Sequence, residues 1–555
     1  MKKVGIWLAF MVLLIGVVPA AAASQSGAER EFVVLYTEGV SLDAARAAVA
    51  AAGGKVVKEN AAVGVATVRT NNPNFMAAIR QQRALAGASR NVSIGYAPLT
   101  SSSRHERVER EGEADLGAAQ ASAEPKRHRG PDPLVDLQWD MAMIHATADG
   151  SYHEQRGSKQ VLVGVIDTGI DGSHPDIAPN FDRTLSRNFV TDIPVVDGPC
   201  EVPSCVDPVD EDDGGHGTHV SGTIAAALNG IGIAGVAPNI TLVNIRAGQD
   251  SGFFFLQPTI DALTYAGDAG IDVVNMSFFT DPWLYNCANN PADSPEEQQE
   301  QRTIISATQR ALNYARNHGV TLVAAEGNEN TDIGHPTTDS TSPDFPPGTS
   351  RTRTVDNSCL IIPTEGDGVI AVSAVGPTTR KAYYSNYGVE QTDVAAPGGD
   401  RREFFGTPQY NVPGNRVLSS YPEALLRATG EIDANGNPTT PLVVRDCQNG
   451  VCAYYRYLQG TSMASPHAVG VAALIVSEFG KKDNTHGGLT LDPSTVKRIL
   501  KRTATEHACP NPRLFHYPDP DLPPAFDAFC EGSKDFNGFY GSGIVDALHA
   551  VEGGN

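Results

Sequence analysis

Five short apolar runs constrain this chain most: Val161 to Asp167, Ile240 to Arg246, Ile271 to Ser277, Val320 to Ala325 and Val369 to Val375, separated by segments of helical spacing or turn chemistry. A strand that is apolar at successive positions has both faces buried, the condition of a parallel sheet with helices on each side. One crossover can be read residue by residue. Ser294-Pro295-Glu296-Glu297 offers an N-cap, a proline at the first helical position and a glutamate two residues later. Ile304, Thr308, Ala311 and Ala315 then recur on one face until His318-Gly319 ends the helix. The expected fold is α/β: a doubly wound, mainly parallel sheet with helices on both faces. In such open sheets ligands sit beyond the carboxyl ends of the strands. Asp167 and Ser277 end strands and Asn328 follows one, so the chemistry is expected along that edge.

The strongest chemical signal is Gly460-Thr461-Ser462-Met463-Ala464-Ser465-Pro466-His467, running directly into the small, apolar segment Ala468 to Leu474. Glycine permits the sharp turn, and a proline is tolerated in a helix's opening turn, so Ser462 is expected at a helix mouth among backbone N–H groups. Upstream, Asp167-Thr168-Gly169 closes a strand, and His216-Gly217-Thr218-His219-Val220-Ser221-Gly222-Thr223 opens a second helical segment. A serine hydroxyl needs a base to become a nucleophile, and that base needs a partner to fix its tautomer. Asp, His and Ser in this chain order form one of the recognised triad arrangements.

These three stretches resemble the subtilisin-like serine proteases, the subtilases, over about Asp132 to Val551. The resemblance implies a subtilisin-like catalytic unit with Asp167, His216 and Ser462 as its triad, His216 rather than His219 being the base. Glu326-Gly327-Asn328-Glu329 resembles the family's oxyanion segment, so Asn328 is expected to donate a side-chain amide beside the Ser462 N–H. Ser251 and Gly252, in Gln249-Asp250-Ser251-Gly252, resemble one substrate-binding edge. Ser277 lies on the other wall, with Ala325 and Gly327 beside it. Phe278-Phe279 and Glu326 depart from the family pattern there. The resemblance implies no cofactor for catalysis; it implies structural calcium, with Asp176 of His174-Pro175-Asp176 matching a ligand. The run Asp210-Glu211-Asp212-Asp213 offers further hard oxygens, and a solvated loop reads the same way. The leading alternative is an inactive subtilase scaffold that only binds proteins.

The N-terminal part reads differently. Met1-Lys2-Lys3, the apolar run Val4 to Val18 and Pro19-Ala20-Ala21-Ala22-Ala23-Ser24 have the parts of a secretory signal ending near residue 23. A retained anchor is the rival, and it would make a membrane-anchored processing enzyme. Residues 24–99 alternate strand and helix signals: strands at Glu31 to Tyr36, Lys55 to Lys58, Val63 to Val68 and Val92 to Tyr96, helices at Leu42 to Ala52 and Asn74 to Leu85. That order is similar to the subtilase propeptide, an intramolecular inhibitor. Residues 100–131 are polar with no apolar period and read as an exposed linker carrying the processing site, with Lys126-Arg127-His128-Arg129 a basic cluster inside it. The catalytic unit takes 132–555.

Export also suits the eight cysteines. Cys200 with Cys205, Cys447 with Cys452, and Cys509 with Cys530 make the simplest local loops, leaving Cys287 for Cys359. The spacings lack a zinc pattern. A formal charge of −22 argues against a nucleic-acid footprint. The expectation is a secreted, monomeric enzyme acting on polypeptides, without stable membrane association.

Overall fold

In the computed structural model the described residues are 29–91, 108–113, 116, 132–346 and 348–553. The signal region 1–23 and the basic cluster 126–129 lie outside them.

The N-terminal unit runs β1 (Arg30–Tyr36), α1 (Leu42–Ala51), β2 (Lys55–Asn60), β3 (Val65–Thr70), α2 (Phe75–Ile79) and β4 (Leu85–Arg90), with the strands in one sheet ordered β2-β3-β1-β4. Two expectations are corrected here. The second helix stops at Ile79 rather than Leu85, and the last strand begins at Leu85. Residues 92–96, where that strand was expected, lie outside the described part. Leu85-Ala86-Gly87-Ala88 carries no β-forming pattern because its residues are selected for close approach: a Cβ on Gly87 would lie 2.4 Å from Thr303 Oγ1 on the neighbouring helix.

The large unit is built on a seven-stranded parallel sheet. Its strands are β5 (Leu162–Ile166), β6 (Arg187–Asn188), β7 (Thr241–Arg246), β8 (Val273–Met276), β9 (Thr321–Ala325), β10 (Ile370–Val375) and β11 (Val394–Pro397), in the spatial order β11-β10-β9-β8-β5-β7-β6. All five apolar runs are strands. Alternate residues feed opposite faces: Val163 and Val165 join the core under α3 (His216–Ala225) and α6 (Thr461–Phe479), while Leu162 and Ile166 pack toward α4 (Leu256–Asp268) and α5 (Pro295–Asn317). The α5 N-terminus is the expected capping box: Ser294 Oγ accepts from Glu297 N, and the Glu297 carboxylate accepts from Ser294 N.

Val33, Leu35, Val63 and Val65 of the N-terminal unit join the α4–α5 apolar cluster. Ion pairs rim that contact, Lys58 with Asp261 at 2.7 Å and Arg90 with Glu300 at 3.3 Å. An antiparallel trio, β12 (Val417–Ser420), β13 (Val443–Gln448) and β14 (Val451–Leu458), ordered β12-β14-β13, leads into α6. Disulfides join Cys200–Cys205, Cys287–Cys359, Cys447–Cys452 and Cys509–Cys530, the simplest pairing read from spacing.

Candidate active site

Ser462 is the second residue of α6, whose N-cap is Gly460. A Cβ at Gly460, where φ is +150°, would lie 3.1 Å from Glu109 Cγ, so the turn needs glycine both for its backbone and for its space. Pro466 is the sixth residue of the helix, beyond the opening turn where it was expected. Having no N–H, it cannot bond the carbonyl four residues back. That carbonyl belongs to Ser462, and it accepts instead from the Ser277 hydroxyl at 3.1 Å. Gly470 packs the helix tightly on its neighbour, its Cβ position lying 2.4 Å from Val236.

At the end of β5, Asp167 Oδ1 accepts from Thr168 N at 2.8 Å and pairs with His216 Nδ1 at 2.7 Å. Asp212 fixes the two elements carrying that pair. Its Oδ1 accepts from Thr168 Oγ1 and Gly215 N, both at 2.9 Å, and its Oδ2 from Thr218 N at 2.8 Å and Thr218 Oγ1 at 2.6 Å. Asp212 therefore clamps the start of α3 to the Asp167 loop rather than facing solvent. His219 is buried in the core with Nε2 toward the Arg456 carbonyl, and burial depresses its pKa to about 3. It stays neutral.

Asn328 follows β9 and reaches the same helix mouth. Its Oδ1 accepts from Thr461 N at 2.9 Å and Thr461 Oγ1 at 2.8 Å, and Thr461 Oγ1 also accepts from Gly327 N at 3.1 Å. Thr461 thus fixes which way the amide points, with Nδ2 3.6 Å from the Cβ position of Gly460. Ala325 is buried with its carbonyl held by Thr364 Oγ1 at 2.7 Å. Gly252 and Ser277 line a pocket with His216, Phe254, Phe278 and Phe279. Phe278 stacks on Phe254 with centroids 4.1 Å apart, so the unusual Phe-Phe pair makes an aromatic wall. The segment around Ser251 is a turn rather than an extended edge: Gly252 N bonds Gln249 O, and Asp197 Oδ1 accepts from Ser251 N and Oγ. Glu326 is fully buried, and desolvation holds its carboxyl well above the usual range.

The segment 108–113 was expected to be exposed linker and is instead seated across this site. Glu109 is 3% exposed, lines the aromatic pocket and brings Oε1 to 3.4 Å from His216 Nε2. Burial disfavours charge on His216, but the carboxylates of Asp167 and Glu109 outweigh it and hold the imidazole pKa well above its ordinary value. Both carboxylates thus favour the protonated imidazole.

Asp176, the expected calcium ligand, is buried with Oδ2 accepting from Tyr455 Oη at 2.7 Å and Ile233 N at 3.1 Å. Desolvation raises it to about 8. Hard oxygens gather elsewhere: Asp192, Glu201 and Asp250 form one group and Asp207, Asp213 and Asp250 another. Arg246 pairs with Asp192, Asp207 and Asp250, one guanidinium among five carboxylates, while Asp192 Oδ2 and Asp207 Oδ1 are buried without hydrogen-bond partners among the described residues. This donor set fits calcium, which would neutralise the surplus charge.

Parallel sheet, helix-borne histidine and helix-mouth serine together define an α/β protein with a hydrolase-type site. The family model described as Subtilase family matches residues 158–531, and the chain belongs to that family. A thermophilic serine proteinase of Bacillus sp. (strain AK1) is 30% identical over 331 residues, 60% of this chain and 55% of that protein. Subtilisin DY of Bacillus licheniformis is 29% identical over 345 residues, 62% of this chain and 84% of its own length. The fold is shared with the epidermin leader peptide processing serine protease of Staphylococcus aureus: TM-score 0.60, 21% identity, covering 95% of this chain and 99% of that one.

Sequence reasoning missed Glu109, Asp212 as a clamp, and Thr461 as the anchor of Asn328. Only Thr461 carried a signal, its place in the motif beside Ser462.

Proposed function

We propose that this chain is a secreted serine endopeptidase that cleaves polypeptides through an acyl-enzyme. Ser462 Oγ attacks the substrate carbonyl carbon while its proton passes to His216 Nε2. Asp167 keeps Nδ1 protonated and steadies the imidazolium. The carbonyl oxygen, now an anion, takes donors from the Asn328 amide and the Ser462 N–H. Collapse breaks the C–N bond, and the leaving amine takes the proton from His216. Water, deprotonated by the same imidazole, then releases the acid. No cofactor enters these steps. Residues 24–99 act as an inhibitory propeptide and processing falls within 100–131. Glu109 must leave before chemistry, because a protonated His216 is no base.

The observation that carries this reading is the Asp167–His216 pair beside Glu109, whose Cγ lies 3.1 Å from the Cβ position of Gly460, the N-cap of the Ser462 helix. Labelling by a serine-directed fluorophosphonate tests it. Wild type is expected to label, and Ser462→Ala to lose labelling, lose peptide cleavage on the order of a million-fold, and accumulate as a folded precursor. An unlabelled, inactive wild type would leave the inactive binding scaffold as the reading.

A further inference from the structure

From His216 the segment 108–113 runs away from the aromatic pocket along a wall of arginines. Arg401 Nη2 and Arg402 Nη2 donate to Glu111 Oε1 at 2.7 and 2.6 Å, and the Tyr383 hydroxyl donates to Oε2. Arg416 Nη2 donates to the Glu111 carbonyl at 2.9 Å and Arg456 Nη2 to Glu113 Oε1 at 2.8 Å. Gln459, three residues before Ser462, joins this wall to the nucleophile: its Oε1 accepts from Arg401 N at 2.8 Å, and its Nε2 donates to the Val108 carbonyl at 3.0 Å.

All four arginines are buried in a chain of net charge −22. Arg402 keeps a second carboxylate in Asp519 and Arg456 one in Glu431. Among the described residues Arg401 pairs with Glu111 alone, and Arg416 with no carboxylate. Burial and the neighbouring Arg401 bring the Arg416 guanidinium down to about 10, a mark of crowded positive charge. Burial alone would raise Glu111, yet Tyr383, Arg401 and Arg402 hold it below the usual carboxylate range. When 108–113 withdraws, Arg401 loses the one carboxylate it pairs with among the described residues while Arg402 keeps Asp519 and Arg456 keeps Glu431, and a buried guanidinium without a partner is costly.

We propose that Arg401, Arg402 and Arg456, with Tyr383, form a substrate subsite for acidic side chains. It takes a Glu or Asp two residues toward the substrate's C-terminus from the residue facing His216, and a second two residues further on. The segment's own Glu109-Arg110-Glu111-Gly112-Glu113 has this spacing and occupies the site in the precursor. The inference rests on the peptidase reading above and names its substrate class: acidic polypeptide segments.

The test walks a single Glu, or its Gln counterpart, along an otherwise neutral, internally quenched peptide digested by the chain as expressed. Glu is expected to raise kcat/KM about ten-fold over Gln at one position beyond the cut bond and again two residues later, mainly through KM. Arg401→Gln should remove the first advantage, read as the ratio of the Glu to the Gln rate within that variant. Equal rates for Glu and Gln at every position, with neutral peptides still cut, would overturn the subsite and leave the peptidase reading standing. If no peptide is cut, the same pairs carrying a fluorophore are read by anisotropy on the full chain carrying Glu109→Gln, Glu111→Gln and Glu113→Gln, which takes the segment's own carboxylates off the wall. A Glu preference lost in Arg401→Gln then supports the subsite, and no preference overturns it.

Discussion

Ser277 Oγ supplies the Ser462 carbonyl with the hydrogen bond that Pro466 withholds. The residue expected to shape a substrate wall therefore also completes the backbone of the helix that presents the nucleophile, and its hydroxyl accepts in turn from Asn275 Nδ2 at 3.0 Å.

Ser277→Ala strands a buried carbonyl and should cost about 1–3 kcal/mol of stability. Pro466→Ala restores an N–H at the right place, so the cost of Ser277→Ala should be smaller in that background. Denaturant unfolding of the two single variants and the double variant measures the difference, expected at about 1 kcal/mol of coupling. Strict additivity would mean that the hydroxyl does not replace the missing N–H.

The bond between Glu109 and His216 makes retention of 108–113 depend on pH. A group whose pKa is raised by a partner strengthens the contact below its free pKa, and that contribution is lost as pH rises through the raised value. His216 is raised, so alkaline pH should release the segment; Glu111 is lowered, so strong acid should weaken it too. Hydrogen exchange of residues 108–113 on the Ser462→Ala chain, corrected for intrinsic rate, should show protection falling on the alkaline side. Glu109→Gln should move the His216 titration seen by NMR to lower pH. An unmoved titration would rule out control by Glu109.

Asp176 is raised by burial from 3.8 to about 8, so the folded state holds a proton that the unfolded chain releases. Stability should then fall as pH rises from about 4 to about 8 and level off above. Asp176→Asn removes this slope, and its thermal advantage over wild type should grow across that window. A variant less stable at every pH, whose deficit disappears on chelation, would return Asp176 to a calcium role.

Chelation should lower the melting temperature, and added calcium should restore it, through the carboxylates around Asp250. Asp250→Asn should blunt the response while Asp176→Asn preserves it. A melting temperature indifferent to chelator removes calcium from this cluster.

The parallel strands were legible because burial on both faces leaves uninterrupted apolar runs, and α5 was legible because its capping box is written in four consecutive residues. Non-local causes hid the rest. Glu109 sits in a polar stretch whose burial depends on arginines about 300 residues away along the chain. Asp212 reads like its acidic neighbours until Thr168 and Thr218 surround it. Gly87 of β4 has no side chain where Thr303 presses close, and Ser251 turns because Asp197 takes its N–H. Neither partner lies within the local pattern. Pro466 was misplaced because the sequence does not reveal that Ser277, just past β8, would supply the missing bond.

All eight cysteines lie at or beyond residue 200, and all are paired with one another. One backbone break in 100–131 therefore leaves the N-terminal unit covalently tied to nothing. What had been a domain becomes a separate molecule, and its hold passes from intramolecular packing to ordinary mass action. Dilution then favours its departure, reducing agents do not hasten it, and reassociation depends on how much of it remains nearby.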